Sequence, residues 1–305
     1  MLALISAPSN LGLRPPQTGA VPGTAKAPEA LREAGLHNRF AARGAVDAGV
    51  VLPGRYVDDA QAGVARSRNQ GAVIDHARRL AARIRDQLDA AGVPLVLGGD
   101  CSLLIGAGHA LRSRGRYGLV HLDGHTDFRH PGNSADCFSL AGEDLAAAVG
   151  LHWPAIADLD GGSPYFRPDD TVHAGCRDDD EHLAEASDII AQVIPASRVR
   201  HAGAAATAAA VLTTVDTGQL DGYWLHLDVD ILDPRSMPAV DSPAEGGLDP
   251  SELSALLAAL APRATGAQVT VFDPDLDPDG RYATLLTGIL ATGLKHLGHR
   301  RRSQS

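Results

Sequence analysis

Cysteine is scarce in this chain. Cys101, Cys137 and Cys176 are an odd trio without CxxC spacing, which argues against a disulfide framework or a zinc ribbon and suits a reducing, cytoplasmic setting. Positive charge is also short: 27 Lys and Arg against 37 Asp and Glu leave a formal net charge of −10, so neither nucleic acid nor an anionic membrane is expected as a partner. No apolar run reaches spanning length, and the opening MLALISAPSNLG has no basic leader followed by a long apolar stretch. There is no GxxxxGK[ST] phosphate loop and no HExxH, and GNSAD lacks the second glycine of a nucleophile elbow. LLIGAGHAL begins like a dinucleotide fingerprint but carries Leu111 at the third glycine position. No Pro/Ser-rich linker or repeat divides the chain, so a single domain over residues 1–305 is expected, with a basic tail that frays from about residue 296.

What is present is a rhythm. MLALISAP reads as a first buried strand, followed by a long Gly/Pro-dense loop and a short helix in APEALREAGL. Residues 70–93 form the clearest amphipathic helix, with Ile74, Ala77, Leu80, Ile84 and Leu88 on one face. VPLVLGG, GLVHLDG, DDTVHAG, YWLHLDV and QVTVFDP are short apolar runs, each carrying or followed by Gly, Asp or Cys. Between several of them lie helical stretches such as DLAAAVGL, DEHLAEASDIIAQV and SELSALLAALA. This alternation predicts an α/β fold with a parallel sheet covered on both faces, and a ligand site at the carboxyl ends of the strands.

Acidic clusters sit at those ends. Asp123, His125 and Asp127 alternate by two, and Asp228 and Asp230 repeat the spacing after another strand. A lone Asp is commonly a cap or turn residue. Carboxylates converging on one sheet edge, however, repel and raise one another's pKa unless cations neutralise them. Carboxylates with imidazole suit divalent metals, two of them where carboxylates bridge. His121 and His226, each two residues before one of these aspartates, read as satisfying the strand environment rather than as ligands.

GGDCS (98–102), DGHTD (123–127) and HLDVDILDP (226–234) resemble the three motifs of the ureohydrolases, the arginase and agmatinase superfamily. PEALREAGL, GCRDDDE and PAEGGL resemble its flanking segments, in the same order. The resemblance implies a three-layer α/β/α domain with two Mn²⁺ ions. One would be held by Cys101, Asp123, Asp127 and Asp228, the other by His125, Asp123, Asp228 and Asp230. A hydroxide shared by the metals, oriented by Asp127, would attack a guanidino or amidino carbon. The resemblance also implies a homo-oligomer, trimeric or hexameric.

Three positions depart from the family pattern. Cys101 stands where the motif has His; a thiolate adds negative charge and favours Fe, Co or Zn over Mn. Ala141-Gly142 replaces an HG pair whose His shuttles protons, leaving Glu143 or His130 as substitutes. Val271 replaces the glutamate that pairs with guanidinium, with Asp273 two residues on as its replacement. At the far end of the substrate, Asn133 and Asp180 occupy places that hold the α-carboxylate and α-amino groups, while Arg177 and Asp178 read as structural. The resulting expectation is a hydrolase cutting a linear C–N bond, with N-hydroxyarginine, the substrate of a Cys-bearing branch, as its best substrate. The alternative is a catalytically silent homologue serving as a binding or oligomeric partner.

Overall fold

A computed structural model describes residues 1–61 and 64–299. Its strands are β1 (Leu2–Ala7), β2 (Val46–Val50), β3 (Val93–Gly98), β4 (Gly118–Leu122), β5 (Thr171–Ala174), β6 (Gln192–Ile194), β7 (Tyr223–Asp228) and β8 (Gly266–Thr270). They form one eight-stranded sheet in the order β2-β1-β3-β8-β7-β4-β5-β6, every pairing parallel. The apolar runs read from the sequence are β1, β3, β4, β5, β7 and β8. Helices cover both faces of the sheet, which is why these strands read as unbroken apolar runs rather than alternating ones. One helical layer packs Leu31, Phe40, Val211, Leu256 and Leu290 on the sheet; the other packs Leu80, Ile84, Leu104, Leu111 and Ile156. The result is the expected three-layer α/β/α architecture.

The sequence reading misses the two edge strands. β2 is mostly exposed and carries Asp47 and Gly49, so it shows no apolar run. β6 lies inside a stretch read as helix; the helix there covers only Leu183–Ile189, and Gln192–Ile194 then pairs with β5. The long helix is Gln70–Asp89 rather than 70–93, because Ala91 turns at φ 54 and Val93 already belongs to β3. It buries Val73, His76, Ala77, Leu80, Ala81 and Ile84; Ile74 and Leu88 are only partly covered.

LLIGAGHAL forms the helix Leu103–Arg112. A Cβ at Gly106 would come 3.1 Å from Leu80, and one at Gly108 2.7 Å from Tyr165. These glycines therefore serve close packing, not a phosphate. At the C-terminus the expected fraying does not begin at residue 296: Leu297 is buried and the Gly298 amide donates to Ala261 O at 3.0 Å. The rest of the tail, residues 300–305, lies outside the described residues.

Register places the chemistry. His173, His121, His226 and Gln268 are aligned partners across β5, β4, β7 and β8. Two residues further along, on the same face of the sheet, come Asp123, Asp228 and Thr270, with Asp228 aligned to Thr270. A buried row of imidazoles therefore lies directly beneath a row of acids at the strand ends.

Candidate active site

The floor of the site is built by short turns in which each acid is held by a backbone amide. Asp123 accepts from His125 N at 2.7 Å, Asp230 from Gly124 N at 3.0 Å, and Asp228 from Asp230 N at 2.8 Å. His125 Nδ1 lies 2.8 Å from Asp230 Oδ2. Cys101, on the turn after β3, puts its Sγ 2.9 Å from Asp228 Oδ2 and 3.0 Å from Thr270 Oγ1. Cys101, Asp123 and Asp228 form one group of donors close enough to share a cation, and Asp123, His125 and Asp230 form another.

Asp127 behaves differently. It sits at φ 48, and its carboxyl lies close enough to Asp144 and His121 to form a further donor group with them. Asp144 is fully buried on the five-residue helix Asp144–Ala148, and the sequence reading missed it. Its one signal there was an acid three residues after the lost HG histidine, in a position that looks like an ordinary acidic helix start.

Electrostatically the floor is over-supplied with acid. Burial, and then the neighbouring carboxylates, push Asp123, Asp127 and Asp228 well above the usual carboxylate range; burial also raises Asp144. Asp230 is the exception: burial opposes its ionisation, but the adjacent His125 holds it down at about 2. Asp230 in turn raises His125. Burial, and then Asp228, push the Cys101 thiol up. Asp123 Oδ2 and Asp144 Oδ2 are buried without any hydrogen-bond partner. Orphaned buried carboxylate oxygens are costly, and divalent cations would satisfy them, so the donor set fits such ions.

The imidazole row has a fixed proton arrangement. The indole N–H of Trp224 can only donate, and it donates to Gln268 Oε1 at 3.0 Å. Gln268 Nε2 must then donate to His226 Nδ1, at 2.8 Å, which leaves the His226 proton on Nε2. That N–H faces Cys101 Sγ at 3.6 Å and Asp144 Oδ2 at 3.8 Å. His226 is therefore a donor toward the floor and offers it no lone pair. His121 stacks on His226 with ring centroids 4.5 Å apart and contacts His173 Nδ1 at 3.0 Å. Burial lowers His121 to about 3, so the row is neutral.

Above the floor opens a cavity of about 700 Å³, lined among others by His125, Asp127, Ala141, Asp180, Asp228, Asp230, Asp241 and Val271. Asp180 lies in its wall, but its carboxylate already accepts from Thr126 N at 2.9 Å, Thr126 Oγ1 at 2.6 Å and His182 N at 3.0 Å. Asn133 lines not this cavity but an adjoining one that shares Arg14, Arg129, Ser139, Glu181 and His182 with it. Its side chain closes its own loop, bonding His130 N, Phe128 O and Glu185 Oε2 at 2.8, 3.0 and 2.7 Å.

Asp273 is also absent from the lining. The expected alternation with Val271 fails because β8 ends at Thr270 and Val271 turns at φ 71, a strained conformation for a β-branched residue. Asp273 instead accepts from Asp275 N at 2.9 Å and Gly23 N at 3.2 Å. Neither proposed substitute shuttle reaches the cavity. Glu143 is buried against Ser139 N and His152 Nε2, both at 2.9 Å, and His130 pairs with Glu185 at 3.1 Å. Arg177 is structural as expected, its buried guanidinium donating to carbonyls that include Asp230 O at 3.0 Å and Ala244 O at 2.6 Å. Asp178 accepts from Ser197 Oγ at 2.5 Å on the surface, again as expected.

Comparison with known proteins agrees with this architecture. The model of the arginase family matches residues 2–294. An arginase from Bacillus caldovelox is 30% identical over 301 residues, covering 95% of this chain and 97% of its own. Its solved structure superposes with a TM-score of 0.85 over 96% of this chain and 97% of that one, at 27% identity. An N(omega)-hydroxy-L-arginine amidinohydrolase from Streptomyces lavendulae is 32% identical over 165 residues, 53% of each chain.

Proposed function

The chain belongs to the arginase family and is a hydrolase of linear amidine C–N bonds; on that premise we propose that it cleaves a guanidino compound with two divalent cations held at the strand-end acids. The supporting observation is the floor itself, where buried carboxylates crowd together and two of their oxygens have no partner. Cys101, Asp123, Asp127 and Asp228 would hold one ion, and His125, Asp123, Asp228 and Asp230 the other. Bound divalent cations supply what the side chains alone do not, a water nucleophile deprotonated near neutral pH.

The chain's own residues do the rest. Asp127, in the cavity wall, orients the attacking water, with the buried Asp144 close behind it near the spot that Ala141 leaves without an imidazole. Asp180, fixed by Thr126 and His182, presents acceptor oxygens to the polar end of the substrate. The thiol of Cys101 makes the first ion position softer, so Fe, Co or Zn competes with Mn there. N-hydroxyarginine is our leading substrate, supported by Cys101, by Val271, and by the Streptomyces lavendulae relative.

The test is turnover by metal-loaded protein of a panel containing arginine, N-hydroxyarginine and agmatine, with urea or hydroxyurea and the released amine quantified. Cleavage of at least one, fastest for N-hydroxyarginine, is expected. Metal-loaded protein that cleaves none of them would leave the silent-homologue reading.

A further inference from the structure

Val271 is an apolar residue of a cavity whose lining also carries several acids, and a neighbouring segment brings one of them, Asp241, into the same wall. After β8 the chain runs antiparallel to residues 239–241: the Asp273 amide donates to Ala239 O at 2.8 Å, and Val240 bridges Phe272. This single bridge brings Asp241 and Val271, each one residue from it, into the same neighbourhood. Both residues line the cavity, and both lie close to the acid floor, whose Asp228 and Asp230 line the same space.

Asp241 has an oxygen to offer. Its described hydrogen bond is from Ser242 Oγ to Oδ2, at 3.0 Å. Among the described residues no ion pair within 4.0 Å involves it, although Arg14 lines the same cavity. Of the neighbouring wall acids, Asp180 is held by three donors from its own loop and Glu181 pairs with Arg129 at 2.8 Å.

We infer that Asp241 is the specificity-determining carboxylate of this cavity, gripping the cationic guanidinium or amidinium end of the substrate from the wall it shares with Val271. The inference rests on the hydrolase reading and deepens it. A planar cation presents paired N–H groups to a carboxylate, and this contact selects charge and shape together. Carrying the acid on the 239–241 segment instead of at residue 271 approaches the reacting end of the chain from a different side. The site then favours a substrate whose cationic end reaches Asp241 with the apolar Val271 nearby.

The test uses metal-loaded full-length protein as wild type, Asp241→Asn, Arg14→Ala, and Asp241→Asn combined with Val271→Glu. Binding is read by calorimetry with lysine and norleucine, non-cleavable chains that differ in terminal charge, and turnover is read with the guanidino panel. Wild type should prefer lysine. Asp241→Asn should erase that preference and lower kcat/KM for guanidino substrates by about 10- to 100-fold, with metal content unchanged and with Val271→Glu restoring part of both. Arg14→Ala should leave the preference in place. An Asp241→Asn protein that keeps the full lysine preference overturns the inference, as does a wild type with none. Wild type that prefers lysine but cleaves nothing would instead count against the hydrolase reading alone.

Discussion

The floor and the wall of the cavity were made under different constraints. The floor acids are fixed by sheet register: Asp123 leaves β4 and Asp228 ends β7 on neighbouring strands, with Thr270 aligned beside Asp228. The wall belongs to loops, and each loop has its own geometry: Asn133 closes a turn, Asp273 caps one, and Val271 is twisted to φ 71. A residue placed by the sheet can be located from its neighbours in sequence. One placed by a loop is located only by the hydrogen bonds that fold the loop. On the proposed reading the floor carries the chemistry and the wall carries substrate choice.

The sharpest way to break this division is to remove a floor acid. Asp123→Asn should lose bound metal and lower activity by at least about 10³-fold while the fold is retained, checked by elemental analysis and circular dichroism. Retained metal and activity would show that the floor is not the centre of the chemistry.

A pH experiment sharpens the same point. Asp123, Asp127, Asp144 and Asp228 have folded-state pKa values raised above the unfolded 3.8. Between those values the folded chain holds protons that the unfolded chain has released. These groups therefore make metal-free protein less stable as pH rises above the unfolded value, by up to about 1.4 kcal/mol per pH unit for each proton. Cations displace those protons. The metal-induced rise in Tm should be larger at pH 8 than at pH 5.5, and a rise independent of pH would contradict this picture of the floor.

The layer beneath the floor gives a smaller effect. Gln268→Leu strands the Trp224 N–H and frees the His226 tautomer, and should cost about 1–3 kcal/mol in denaturant unfolding. Because His226 then gains a lone pair facing Cys101, the metal preference should also shift. The smallest effect belongs to the wall: Asn133→Ala should change kcat/KM less than about threefold and show chiefly as a modest loss of stability, since its amide holds its own loop. A large loss of kcat/KM there would restore Asn133 as a substrate residue.

The legibility of the molecule in its sequence follows the same division. Six strands announced themselves because burial on both faces gives continuous apolar runs, while β2 and β6, at the edges and partly exposed, gave none. The DxHxD and DxD spacings located the floor because both follow buried strand ends, where short turns then hold the acids. Asp273 was expected from the same alternation and fails because the strand had already ended. Asp241 was invisible, since its position depends on a bridge between segments 32 residues apart (Val240 and Phe272). Asp144 was hidden by resembling a helix-start acid, and the Trp224–Gln268–His226 chain by lying on two different strands.

The most direct measurement is metal per chain, by elemental mass spectrometry, in wild type and Cys101→His after exposure to an equimolar mixture of Mn²⁺, Fe²⁺, Co²⁺ and Zn²⁺. The account predicts about two equivalents in each, with wild type enriched in the softer ions at one position and Cys101→His shifted toward Mn. Metal-free wild type after that loading would contradict it.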